Sequence, residues 1–466
     1  MRSPRAENTL RLEDCLREIS ERLEPSVEEK TRLEREATRV TEALWRALEL
    51  AGRRTQVSSI ELQGSFARDT WLPGDVDIDI FLLFEKGVGL ETLQETTRIV
   101  SRLAAEELGA SLQVRYASHP YYVLKLESIE VEVVPAYKTS SPAELISPVD
   151  RTPHHTAFIR SALSENPQFK ADIRLFKKLL KNIGVYGAET WVGGFSGFLA
   201  EILVVHYGGL VPLLRAAAGW KPGKTFIPEG VGEEKFRGAP LVVLDPVDPE
   251  RNAAAAVSQE AMLKLIAVAR LATLKEELLC CFLEPPELAP DDALLQSSPE
   301  SRSFLFIAAE APPGMPLDAA KGKLARILRK LRRALEREGF TVYRQRLIET
   351  ANSPLLALEL ESGELPQFKK HLGPPVWSPN SISFLEKWVS RGSGPYVEGK
   401  HWVVVAPRKT RRAEDVVSRV LSSYEGVRWE LLDFGQVVER CRTREDRRKL
   451  YSWLTGVEEW MLCLQK

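Results

Sequence analysis

An α+β fold in three parts is what the sequence predicts. Short strand-like runs crowd together between residues 57 and 135, and helical periodicity takes over from 156 to 277. Beyond a Pro-rich linker, EPPELAPDD at 284–292, strand and helix patterns alternate again. Runs of strand followed by runs of helix, without regular βαβ alternation, are the mark of this class. The parts are bounded at 1–150, 151–283 and 284–466.

Within the first part, Leu33, Ala37, Val40, Ala43, Leu44, Ala47 and Leu48 recur at helical spacing and predict an amphipathic helix over 27–51. A short strand, Val57–Leu62, runs into Gly64-Ser65. Asp75–Phe84, DVDIDIFLLF, begins with the alternation of a half-buried strand. Helix is expected over 90–108, and strands over Gln113–Ser118, Tyr121–Glu127 and Ile129–Pro135. In the second part the clearest helices are Ala171–Ile183, Ser196–Tyr207 and Ala261–Leu278. The Gly- and Pro-rich stretch 219–251 should form loops around a short strand, Pro240–Leu244. In the third part, strand 303–309, helix 317–338, strands 340–349 and 354–361, helix 380–390 and strand 401–406 follow a ferredoxin-like order. Further helices are expected at 411–423 and 446–462.

Hydrophobic residues make up 44% of the chain and charged residues 28%, enough to bury a core and too apolar for a disordered chain. The formal net charge is −1, so a nucleic-acid partner would have to be met by a local patch. Cys15, Cys280, Cys281, Cys441 and Cys463 show no C-x-x-C spacing, so neither a zinc site nor a disulfide framework is suggested, and they fit a reduced cytosol. No apolar run reaches the roughly 18 residues of a membrane span. The first residues lack the apolar core of a signal peptide. The expectation is a soluble cytoplasmic protein without membrane contact.

The chemistry concentrates in two acidic stretches. Successive strand side chains alternate faces, so Asp77 and Asp79 would point the same way, roughly 6.5–7 Å apart at the usual strand rise. Asp is depleted in strands, and adjacent carboxylates repel, so solvation explains this run poorly. A shared hard cation such as Mg²⁺, which binds through one or two carboxylates and substrate phosphates, explains it better. Asp75 is either a third member of that face or a turn residue beside Gly74. Glu132, in IEVEVVP, offers a further acid on a later strand, and Glu130 beside it reads more simply as a solvated face. Upstream, Gly64 allows a tight turn whose backbone N–H groups can meet a phosphate. Ser65 adds a hydroxyl and Arg68 a cationic fork.

Gly-Ser followed by Asp-x-Asp on the next strand, with an acid on a later strand, resembles the DNA polymerase β-type nucleotidyltransferase superfamily. Segments GSFARDTWLPGDVDIDIFLLF, YASHPYYVLKL, VEVVPAYK, DRTPHHTAFI, LFKKLLKNIGVYGAE, GGFSGFLAEILVVHYG and DPVDPERNAAAAVS, with PPVWSPN and GPYVEGKHWVVV near the end, narrow the resemblance to the archaeal class I CCA-adding enzymes. The resemblance covers most of the chain. It implies a catalytic palm over 1–150, a central helical nucleotide-binding domain over 151–283, and a C-terminal tRNA-binding region over 284–466. The implied reaction builds the terminal CCA of tRNA from CTP and ATP with two Mg²⁺ ions and no nucleic-acid template. Asp77 and Asp79 match the metal-binding pair, and Glu132 the third carboxylate, a position the family usually fills with Asp. Gly64, Ser65 and Arg68 match the phosphate turn, and His155, Lys177 and Tyr186 match triphosphate-binding positions. Arg251, in DPERN, matches the residue that meets the incoming base. A homodimer is one option for the assembly.

Lys321, Lys323, Arg326, Arg329, Lys330, Arg332, Arg333 and Arg337 give the helix around 317–338 a basic face that suits a phosphate backbone, and a solvated helix explains it equally well. Arg408, Lys409, Arg411 and Arg412 form a second cluster. Trp377, Trp388 and Trp402 could stack on bases, although core packing is the commoner use of tryptophan. A poly(A)-adding relative, a non-catalytic RNA-binding relative and a metal-dependent nuclease are the competing readings.

Overall fold

A computed structural model of the chain describes residues 4–116, 119–127, 129–231, 234–291, 302–351, 353–391 and 394–465. The chain divides into two compact units, Met1–Glu287 with Glu458–Lys466, and Leu288–Val457. The last stretch of the region expected as 284–466 therefore packs in the first unit.

The first unit opens with helices α1 (Pro4–Arg22) and α2 (Val27–Leu50). Ser26 caps α2 by accepting from the Glu29 N–H, and the seven apolar positions read from the spacing are the ones α2 buries. Strand β1 (Val57–Gln63), helix α3 (Gly64–Arg68), β2 (Ile78–Phe84), α4 (Leu90–Leu108), β3 (Ser111–Tyr116), β4 (Pro120–Lys125) and β5 (Glu130–Tyr137) follow. The sheet order is β1-β2-β5-β4-β3. Its one parallel pairing, β2 with β5, lies at the centre. Helices α2 and α4 cover one face, and Phe81, Leu83, Val134 and Ala136 bury the other. Burial on both faces explains why IFLLF and VVPA are continuous apolar runs.

Helices α5 (Arg151–Glu165), α6 (Phe169–Asn182), α7 (Gly197–Tyr207), α8 (Leu210–Ala217), α9 (Gln259–Leu274) and α10 (Glu277–Leu283) build the helical remainder around a second core. A two-stranded parallel ribbon, β6 (Thr225–Ile227) with β7 (Leu241–Val243), sits among them.

In the second unit, β8 (Ser303–Glu310), α11 (Leu317–Glu338), β9 (Val342–Ile348) and β10 (Leu355–Leu360) lead into an excursion. That excursion holds β11 (Phe368–Pro375), α12 (Ser381–Val389), β12 (Tyr396–Glu398) and β13 (His401–Pro407), whose strands form their own three-stranded sheet. The chain returns through α13 (Ala413–Leu421) and β14 (Arg428–Leu432), then ends the unit with α14 (Phe434–Arg440) and α15 (Arg444–Thr455). The sheet order β14-β8-β10-β9, antiparallel throughout, is ferredoxin-like. However, α13 and β14 complete it, whereas the helix expected at 380–390 and the strand expected at 401–406 lie in the excursion as α12 and β13.

Several expectations change. The strand expected from Asp75 starts only at Ile78, because Gly74 at φ +72° and a Leu72–Asp75 bridge make a tight turn before it. The helix expected over Ala261–Leu278 breaks where Lys275 adopts an extended conformation. Strands β11, β12 and β14 escaped the sequence reading, β11 because Lys, Gly and Pro fill FKKHLGPP. Ser118 and Asp292, at the ends of an expected strand and linker, lie outside the described residues. Trp388 is buried against Phe384 and Val404, whereas Trp377 is exposed.

The cysteines overturn the expectation of no disulfide framework. Cys15 pairs with Cys280, and Cys281 with Cys463. The partners are 265 and 182 residues apart, so no local spacing announces them. The adjacent pair on α10 staples α1 on one side and the 459–465 turn on the other. Closing such long loops restricts the unfolded chain, and each bond is worth about 2–4 kcal/mol. Cys280→Ser with Cys281→Ser should lower the thermal midpoint of the full chain, and reductant should do the same to the parent protein but not to the variant. Calorimetry with and without reductant checks this.

Candidate active site

Strand register decides where the acids meet. Asp79 pairs with Gln63 of β1 on one side and stands opposite Glu132 of β5 on the other. Asp77 precedes the strand by one residue. Gly64 follows β1 at φ +70°, and a Cβ there would come within 1.7 Å of the Asp79 carboxylate oxygen Oδ2. Only glycine lets the α3 backbone approach that carboxylate.

The acids burden one another. Burial and the charge of Asp77 push Asp79 up to about 6, against the opposing charge of Arg68. Burial, Asp79 and Asp77 push Glu132 up to about 8, with Arg115 opposing. Asp77 is raised as well, by burial and then by Asp75 and Glu130. Carboxylate oxygens that hold each other protonated are a donor set short of positive charge, which fits a hard divalent cation. Among the described residues, no three His, Cys, Asp or Glu side chains form a complete cage. Glu132 is turned toward Arg115, whose Nη1 lies 3.1 Å from its Oε1, while Nη2 donates to Glu130 at 2.6 Å. Substrate phosphates would have to complete any ion's shell.

One face of α6 holds the loop that delivers Asp75 and Asp77. Lys170 and Arg174 bind Asp69 at 2.9 and 2.7 Å, and Arg174 also donates to the carbonyls of Asp69 and Trp71. Lys177 donates to the Thr70 carbonyl at 3.0 Å, and Lys181 pairs with Asp75. These residues are spaced four, three and four apart, as one helical face requires. The sequence reading singled out Lys177 alone, and the spacing was the signal that could have found the others.

The side chains expected at the triphosphate divide into two groups. Arg68 and Lys177 are buried around Glu201 of α7, itself fully buried. Lys177 Nζ is 2.9 Å from Glu201 Oε1, and the Thr70 hydroxyl donates to the same oxygen at 2.5 Å. Arg68 Nε lies 2.8 Å from Oε2, an ion contact without hydrogen-bond alignment, and Nη1 donates to Thr156 at 3.1 Å. Lys177 thus supports the 69–75 loop from the interior. Tyr186 feels both sets of acids: burial, then Glu201, then Asp75 and Asp77 among others raise its pKa, and Lys181 sits 5.2 Å over its ring. Its hydroxyl would come within 3.0 Å of a Cβ at Gly197, so that glycine makes room for it. Ser65 stands partly exposed in α3.

His155 and Arg251 share one carboxylate. His155 Nε2 is 2.9 Å from both oxygens of Asp245, and Arg251 Nη1 donates to Oδ2 at 2.6 Å. Burial pushes Asp245 up, but His155, the Val247 N–H and Arg251 outweigh it and hold its pKa down. Burial lowers His155, which stacks on Phe198 at 3.8 Å. Arg251 remains half-exposed.

The raised acids make a stability prediction. Glu132 titrates near 8 when folded and near its ordinary 4.5 when unfolded, and Asp79 near 6 against 3.8. The folded state therefore binds more protons across these windows, and stability falls as pH rises through them. With chelator present, unfolding free energy should drop from pH 5 to 8 by on the order of 1 kcal/mol per pH unit. Glu132→Gln should flatten the upper part of the slope. Denaturant titrations at each pH measure it.

Comparison with known proteins places these parts in a family. A nucleotidyltransferase domain model matches residues 45–155, the second domain of tRNA nucleotidyltransferase matches 171–282, and the C-terminal domain of CCA-adding enzyme matches 303–428. The CCA-adding enzyme of Pyrobaculum islandicum is 36% identical over 88% of this chain and 94% of its own length. That of Methanoregula boonei is 36% identical over 86% and 85%. That of Methanopyrus kandleri is 35% identical over 95% and 92%. With three successive domains matched and more than a third of its residues shared along nearly all its length, the chain belongs to the family of CCA-adding enzymes, nucleotidyltransferases with an α+β fold.

Proposed function

We propose that the protein adds CCA to the 3′ end of tRNA from CTP and ATP, releasing pyrophosphate at each step. The observation that carries this reading is the meeting of Asp77, Asp79 and Glu132 beside the Gly64 turn, in a chain of this family. Two Mg²⁺ ions, when bound, would lower the pKa of the RNA 3′-hydroxyl and neutralise the triphosphate. Asp77 and Asp79 would hold them, with Glu132 as third carboxylate once Arg115 releases it. Glu reaches one methylene further than the usual Asp and still supplies two carboxylate oxygens. Ser65, Tyr186 and His155 would orient the triphosphate, and Arg68 would set the charge behind it. The work of the protein is positioning and electrostatics, with no covalent intermediate.

Arg251 is the base reader in this account. Guanidinium donates only, and cytosine and adenine offer acceptors where uracil and guanine carry a hydrogen. Donor set against donor leaves buried groups unpaired, so U and G are rejected. Asp245 holds one amino group of Arg251 and leaves the rest of the fork to the base.

RNA binding draws support from α11. Arg326, Arg329, Lys330, Arg333 and Arg337 lie on its exposed face, while Leu324, Ile327, Leu328, Leu331 and Leu335 are buried. In the second cluster Arg408 donates to the Glu338 carbonyl, Arg411 pairs with Glu364 and Arg412 with Glu414, while Lys409 is exposed.

Labelled-nucleotide incorporation on a tRNA lacking its CCA end tests the reading. Asp79→Asn should lower kcat by about a hundredfold or more while leaving tRNA affinity unchanged. Arg251→Ala should reduce use of CTP and ATP more than that of UTP. The kcat/KM ratio of CTP to UTP on matched tRNA ends would then narrow, and an unchanged ratio would remove Arg251 from base reading.

A further inference from the structure

Helix α7, GFLAEILVVHY, is apolar except for Glu201 and His206. A carboxylate buried in such a helix is strongly disfavoured unless it is paired and hydrogen-bonded. Glu201 is fully buried, and its cationic partners come from two separate elements. Arg68 belongs to α3, directly after the Gly64 turn. Lys177 belongs to α6, the helix whose basic face grips the loop carrying Asp75 and Asp77. Thr70, whose hydroxyl completes the bonds to Oε1, lies in that loop. The charge of Arg68 in turn acts on both Asp79 and His155.

We propose that Glu201 is a positioning residue for nucleotide binding: the buried anion that fixes Arg68 and the 69–75 loop against α6, and so sets the geometry of the triphosphate site. The proposal rests on the nucleotidyl-transfer reading of that site. One carboxylate against two cations leaves the cluster with an excess positive charge, which complements the negative charge of a triphosphate. With a neutral side chain at 201, Arg68 and Lys177 face each other unscreened. Arg68 can turn away from Asp79, and Lys177 gives up its proton more readily. The charged and titratable groups around this cluster are Arg68 from α3, Arg174 and Lys177 from α6, Tyr186 from the segment after it, and, through Arg68, Asp79 of β2 and His155 of α5.

The experiment compares the full-length parent, Glu201→Gln and Glu201→Asp in three measurements. These are equilibrium binding of Mg–CTP and Mg–ATP, binding of tRNA, and steady-state addition across pH. In Glu201→Gln, affinity for both nucleotides should fall together by about tenfold or more, as small misplacements at a site produce. KM should rise more than kcat falls, tRNA affinity should hold, and the alkaline limb of activity should move to lower pH. Glu201→Asp, which keeps the charge on a shorter arm, should recover part of the loss. A folded Glu201→Gln variant with parent-like nucleotide affinity overturns the proposal, even if it melts earlier, because the role is then structural alone. Should Glu201→Gln fail to fold, Glu201→Asp decides: parent-like nucleotide binding overturns, and weakened binding at a parent-like melting temperature supports. If the parent binds nucleotide but adds none to tRNA, the functional reading fails, and the binding comparison still judges Glu201.

Discussion

The parallel pairing of β2 with β5 sets Asp79 directly beside Glu132, and much of the first unit answers that crowding of negative charge. A one-residue slip in register would turn Glu132 to the opposite face and put Val131 or Val133 there. The register is held by apolar side chains buried on both faces of the same strands. The core thus fixes the strand positions from which the acids project. Arg115 answers from the far edge of the sheet, Arg68 from the Gly64 turn, and Lys181 through Asp75. These cations do not offset burial and the acids' mutual repulsion, and Asp79 and Glu132 both remain well above the ordinary carboxylate range. A site left short of positive charge in a rigid setting is one that gains from binding it.

Helix α6 extends the same logic to the backbone. Asp77 lies outside the sheet ladder, so strand pairing cannot place it. The loop from 69 to 77 is held by the face Lys170, Arg174, Lys177 and Lys181, which binds its side chains and carbonyls in turn. Arg174 and Lys177 act on main-chain oxygens and so fix the course of the loop, not only its charge. The left-handed Asp69, at φ 54°, is the one positive-φ residue other than glycine among those described, and it is bound on both its carboxylate and its carbonyl. Strain at that position is held by contacts from a separate helix.

Much of this was legible in the residues. Amphipathic spacing found α2 and α11 nearly to the residue, because one-sided burial imposes a period that composition cannot hide. The ferredoxin-like order came through only in part. Its first strand, first helix and next two strands were read, but the helix and strand expected to close it, at 380–390 and 401–406, belong to the excursion, and β14, which does close it, was missed. The excursion strands β11 and β12 also escaped, β11 being half-exposed and rich in Lys, Gly and Pro, and β12 only three exposed residues. At the site, the acids and the Gly-Ser turn stood out as residue types out of place in a strand. What stayed hidden was whatever depends on partners far along the chain. Arg115 gives no local sign that it meets Glu132, nor Cys15 that it meets Cys280. Glu201 is the intermediate case. A lone acid in an apolar helix is visible, but its cations lie 133 and 24 positions away, counted from Arg68 and Lys177.

Glu201 and Glu132 show how one side chain serves two ends. Both are buried, and burial pushes both upward. Glu201 has two cations and a hydroxyl, which outweigh that push and hold it down near 2. Glu132 has one cation, shared with Glu130, and two acids for neighbours, so it stays near 8. The first is satisfied and fixes structure at every ordinary pH. The second is unsatisfied, and its charge state depends on what arrives. Asp245 falls on the side of Glu201: His155, a backbone N–H and Arg251 hold it ionised, and it in turn aims Arg251. Satisfied carboxylates therefore hold the structure, and the unsatisfied ones remain short of positive charge until a substrate brings its ions.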